Sequence, residues 1–141
     1  MRPVVAHART IRPTISFTAN ITSCTEEFIK ALNLNGQEDY IYIFEGDEND
    51  EYPLYVARSE ANAPNSEQGI YKVNANKNNY TIKPHSISSI MRAKNIARVV
   101  ITTDTITHEG ITFYGCSVDS KVASNKKEEQ ENYQVNQNNN V

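Results

Sequence analysis

Few residues in this chain have the types that run reactions, and none stand at a spacing that would make them work together. The histidines are His7, His85 and His108, and no pair of them has a metal-ligand spacing. His85 beside Ser86, with Asp104 further along, supplies the residue types of a hydrolytic triad. A triad is defined by geometry, so those types alone carry little weight. Cys24 falls at an expected helix start, where the positive end of the dipole favours thiolate, yet no base for it is identifiable. A plain small residue at a helix start is the better reading of it. Glu45, Asp47, Glu48, Asp50 and Glu51 offer oxygen ligands but lack the spacing and central glycine of a calcium loop, so they read as a solvated turn. The chain is expected to be non-enzymatic, with no catalytic residue, no cofactor and no metal.

The elements that must position any site follow from composition and pattern. The 141 residues suit one domain, and 38% hydrophobic content with a mean hydropathy of −0.60 leaves part of the chain outside a core. Two cysteines without a CxxC suggest a reduced compartment. Residues 1–20 hold no apolar signal core, and no apolar run reaches bilayer length, so no membrane association is expected.

Ile11, Pro13, Ile15, Phe17, Ala19 and Ile21 alternate with polar residues, which predicts one strand with a single buried face. Ser23 and Glu26 have capping-box spacing, and Phe28, Ile29 and Leu32 share a helical face. Leu34 closes that face, and Gly36 is the expected helix stop. Tyr40–Phe44 is apolar on both faces and reads as a central strand, with Tyr52–Arg58 as its partner beyond the acidic turn. Ile70–Val73 and Tyr80–Lys83 predict a second hairpin, in which Tyr71 and Tyr80 fit a core better than a base-stacking platform. Ser86 is placed to cap a second helix carrying Ile87, Ile90 and Met91. Two further strands, Val99–Thr103 and Ile111–Val118, flank a turn at His108–Gly110. The fold class is therefore α+β, a mostly antiparallel sheet with two short helices. Residues 1–121 form one compact domain, and 122–141, rich in Asn, Gln, Glu and Lys, form a disordered tail.

Charge is segregated along the chain although the net is only −3. No carboxylate lies between Glu67 and Asp104, an interval holding Lys72, Lys77, Lys83, Arg92, Lys94 and Arg98. Residues 1–25 carry Arg2, Arg9 and Arg12 against no acid. Two basic segments of this kind are a footprint for phosphate binding, and they can equally be cations solvating a hairpin and a helix.

A strand, a helix ending Ala31-Leu32-Asn33-Leu34, a glycine turn and the strand Gly36-Gln-Glu-Asp-Tyr-Ile-Tyr-Ile43 resemble the AbrB/SpoVT and MazE-type swapped-hairpin module over residues 9–58. Ile11-Arg-Pro-Thr-Ile15 approximates its first strand. The resemblance implies two intertwined chains, with Arg9 and Arg12 as DNA contacts. The longer arrangement, with its Asn/Ile/Lys-heavy composition, is similar to small proteins of tailed phages and prophages. The sequence thus points to a phage- or mobile-element-type homo-oligomer in the host cytoplasm. It would bind DNA or RNA through Arg9, Arg12, Lys72, Lys77, Lys83, Arg92, Lys94 and Arg98. The alternative is a virion accessory or structural protein, a capsid or head–tail auxiliary component, docking on neighbouring subunits by strand addition.

Overall fold

A computed structural model describes residues 1–4, 11–75 and 79–122, and shows a mostly antiparallel sheet with two helices. The strands are β1 (Thr14–Phe17), β2 (Thr22–Cys24), β3 (Glu38–Glu45), β4 (Leu54–Ser59), β5 (Ile70–Ala75), β6 (Tyr80–Lys83), β7 (Ile96–His108) and β8 (Ile111–Lys121). The helices are α1 (Glu26–Ala31) and α2 (Ser86–Ala93). The sheet closes on itself as an eight-stranded barrel in the order β1-β2-β6-β5-β3-β4-β8-β7, with β7 pairing back onto β1. Closure gives each strand two neighbours over part of its length, which removes most of the edge. Ile15, Phe17, Ile41, Leu54, Val56, Val73, Ile82, Val99 and Cys116 form the core, to which α1 adds Phe28 and Ile29, its C-cap Leu32, and α2 Ile87 and Met91. Ile15 and Phe17 are thus covered within a single chain.

The expected single strand Ile11–Ile21 is two strands. The chain reverses where the amide and hydroxyl of Thr18 donate to the Ile21 carbonyl, at 2.9 and 3.0 Å. Ile15 faces Cys24 and Phe17 faces Thr22 across the resulting hairpin. The buried face therefore changes from odd to even residue numbers, because facing partners in a ladder point to the same side. Thr22 is fully buried as a result, and Ile21 is 44% exposed.

Both helix caps also differ from the expected ones. Ser23 lies in β2, and Thr25 is the cap of α1, its hydroxyl accepting from the Phe28 amide. The stop is Asn33 (φ 55), not Gly36; the Leu34 amide donates to Ile29 O and the Asn33 amide to Lys30 O, a Schellman pattern. Gly36 (φ 80) serves the following turn, where its amide and that of Asn35 donate to the Asp39 carboxylate. In α2, Ser86 is the first helical residue, and His85 precedes it without a side-chain cap. Ile90 leaves the shared face with Ile87 and Met91 and is half exposed.

The last two strands run further than Val99–Thr103 and Ile111–Val118. Their connection has positive φ at Glu109 and Gly110, as a two-residue type I′ turn needs. Val122, assigned by sequence to the tail, is buried, and its amide donates to Asn95 O. The rest of that expected tail, 123–141, lies outside the described residues. No helix among the described residues is long and apolar enough to cross a membrane.

Candidate functional site

Four of the cations singled out in the sequence hold partners within their own chain. Arg12 and Arg98 converge on Asp119, at 2.5 and 3.5 Å, and Arg98 also donates to Ser16 Oγ. The Asp119 side chain is only 10% exposed, so this bridge ties β8 to β7 and to the entry into β1. Arg92 donates to Phe17 O at 2.9 Å, and Ser88, one helical turn earlier, donates to Thr18 O. Together they fasten α2 to the first hairpin. Lys94 pairs with Glu45 at 3.1 Å, which brings the acidic stretch against the basic one. Lys72 and Lys83 face each other across β5 and β6, and neither has an ion pair among the described residues. Arg9 and Lys77 lie outside the described residues.

His85 and Asp104, of the triad alternative, share no hydrogen bond among the described residues. The Asp104 carboxylate accepts from the Tyr52 hydroxyl, which holds that phenol above its ordinary range. His85 is exposed ahead of α2. Cys24 and Cys116 are buried, and burial pushes both thiols up to about 12, opposite to what a nucleophile needs. Among the described residues no three His, Cys, Asp or Glu side chains gather to hold a metal. Tyr71 and Tyr80 pack against the core.

Two features missed in the sequence lie at the other end of β7 and β8. The first is an arm. β1 pairs with β7 only as far as Val100, with one more bond from the Ile101 amide to Pro13 O. β4 pairs with β8 from Tyr114 to Cys116. Beyond those limits Thr105–His108 pairs, among the described residues, only with Ile111–Tyr114, and Thr103 through His108 are exposed. An irregularity between Ile101 and Thr105 sets the arm's direction. There Thr102 Oγ1 donates to Gly115 O at 2.8 Å and accepts from the Asp104 amide, while Tyr52 reaches Asp104. Gly115 is required at this point, since a side chain on it would collide with the Tyr52 ring.

The second feature is a groove of about 930 Å³ beside the arm's tip. Phe44 and Phe113 lie 4.9 Å apart on its floor, with His108 against both rings. Ile87, Ile90 and Met91 of α2 form another wall. Gly69 (φ 73) closes the third side and holds Phe44, because a Cβ on it would stand 2.5 Å from that ring. Glu45, Glu67 and Glu109 line the groove, and among the described residues no Lys or Arg does. No protein-family model matches this chain, and neither a curated protein nor a solved structure does.

Proposed function

We propose that this protein is a non-enzymatic assembly component that docks on neighbouring protein subunits, as a virion accessory protein does. The observation that carries this is the arm. Its outer edge, Thr105–His108, has no partner strand among the described residues. An unpaired edge is a template for strand addition, and a two-stranded ribbon gains stability from a third strand. In a two-residue hairpin the closing pair, His108 and Ile111, is hydrogen-bonded, and the pairs alternate from there. The amides of Thr105 and Thr107 therefore point outward, free to receive an added strand. The cations give weaker support to a nucleic-acid role, since Arg12, Arg92, Lys94 and Arg98 already hold partners in their own chain.

A narrower second reading, closer to the AbrB-type resemblance, has one observation in its favour. Lys72 and Lys83 stand directly opposite each other. Like charges held together are tolerated where phosphate will lie between them, and a homo-oligomer would multiply such pairs along a duplex.

Sedimentation of extracts from the protein's own cells, with and without nuclease, separates the two. Docking on protein predicts nuclease-resistant co-sedimentation with large assemblies, lost in Thr107→Pro, which removes an outward amide and no ladder bond. Release by nuclease, or unchanged association in a folded Thr107→Pro variant, refutes docking through the arm.

A further inference from the structure

The groove at the arm's tip joins an apolar aromatic floor to a rim of one charge sign. Glu67 has no ion pair among the described residues, and Glu109 has only its neighbour His108, at 3.9 Å. Glu45 is shared with Lys94, whose ammonium lies outside the lining. The groove is also open: Ile90 is 50% exposed and the Glu109 side chain 81%. Enclosed small-ligand sites cover most of their ligand, whereas an open apolar trough with a charged rim suits a segment of chain laid across it. An acidic segment or a phosphate backbone would meet repulsion from Glu67 and Glu109, which no Lys or Arg among the described residues offsets.

Resting on the docking role proposed above, we infer that this groove receives a short cationic amphipathic segment of the partner protein. Apolar side chains of that segment lie on Phe44, Ile90 and Ile111, and its lysines or arginines meet Glu67 and Glu109. An arginine can also stack on the half-buried Phe44 ring, which adds to the preference for guanidinium. The strand edge of the arm supplies backbone pairing, and the groove beside it supplies side-chain selection. Specificity in strand-addition complexes comes from such pockets.

The test uses the full chain and three labelled synthetic peptides of equal length, read by fluorescence anisotropy. One alternates Leu with Lys, so that an extended chain carries a single apolar face, the second has the same composition scrambled so that no apolar face exists, and the third replaces Lys by Glu. The first should bind about tenfold tighter than the second, with no measurable binding of the third. The double variant Glu67→Lys/Glu109→Lys should weaken the first by about tenfold, as expected for two exposed pairs. Ile90→Asn, at a half-exposed position, should weaken it by several-fold with the thermal midpoint unchanged. Equal binding of the amphipathic and scrambled peptides would reduce the effect to net charge and overturn the proposal. So would full affinity in both variants. The docking role fails separately. Peptide selection kept by a protein that sediments with no assembly would overturn that role and leave the groove standing. Assembly association unchanged in variants that no longer bind peptide would overturn the groove as part of the docking surface.

Discussion

Thr25→Val should test how the barrel is closed. The Thr25 hydroxyl makes three hydrogen bonds: it donates to Arg12 O at 2.9 Å, and it accepts from the Thr14 amide at 3.1 Å and the Phe28 amide at 3.3 Å. It therefore caps α1 and also fastens the start of β1, the strand that meets β7 to close the ring. α1 has six residues, too short to persist without its cap and its buried face. Loss of an N-cap oxygen costs about 1 kcal/mol. Valine keeps the shape but leaves the Thr14 amide, on a residue only 7% exposed, without its partner, for a further 1–2 kcal/mol or so. The total is roughly 2–3 kcal/mol. At about 4 °C per kcal/mol for a domain of this size, the thermal midpoint should fall by roughly 8–12 °C.

Circular dichroism during heating and in urea measures this, and Thr25→Ser is the control. Serine retains the oxygen and should recover all but about 0.5 kcal/mol, the packing of one lost methyl. A valine variant within about 0.5 kcal/mol of the parent would refute the closure role. A serine variant as unstable as valine would assign the effect to packing instead.

Thr22→Val should act in the opposite direction. The Thr22 hydroxyl is fully buried with no hydrogen-bond partner among the described residues, so the isosteric swap should stabilise by about 1 kcal/mol in urea titrations, and a loss would contradict this. Cys24 and Cys116 should resist alkylation in the native protein at neutral pH and react on unfolding, as mass spectrometry would detect. Their folded pKa values lie near 12 against an ordinary 9.0, so the unfolded chain releases those protons first. Stability should therefore fall as pH rises from about 9 toward 12, and a flat profile would count against burial of the thiols. If phosphate binding occurs at all, Lys72→Gln/Lys83→Gln should lower the log–log salt slope by about 1.8, the equivalent of two contacts, and an unchanged slope would exclude that pair.

Much of the secondary structure was legible because it is local. Tyr40–Phe44 reads as a strand flanked on both sides, and β3 does pair with both β4 and β5. The hairpin of β5 and β6 follows from its polar connection, and α2 from the spacing of Ile87 and Met91. The break between β1 and β2 was hidden because a period of two runs on through Thr18–Asn20 without a glycine or proline to punctuate it. Only the pairing of Phe17 with Thr22 makes a threonine the buried residue and Ile21 the exposed one. The caps misled for a related reason. Ser23, Thr25 and Ser86 all have hydroxyls near a helix start, and the choice among them depends on where the preceding strand ends.

The candidate site was not legible, because charge blocks along a chain become surface patches only where sequence neighbours remain neighbours in space. In this barrel several of the cations meet acids from elsewhere in the chain. Arg12 and Arg98 come from separate acid-free stretches, and they meet at Asp119 because β1, β7 and β8 are adjacent. Lys94 leaves the basic interval to reach Glu45 in the acidic one. The groove draws Phe44 from β3, Glu67 and Gly69 from the loop before β5, Ile90 from α2 and Phe113 from β8. Each of those residues has an ordinary local explanation. The one sequence signal was at Gly69, a glycine closing the polar loop directly before a strand, where the left-handed backbone and the contact with Phe44 admit no side chain. A glycine in that position marks close approach between segments distant in sequence, and here the segments it joins are those that carry the acidic, apolar trough.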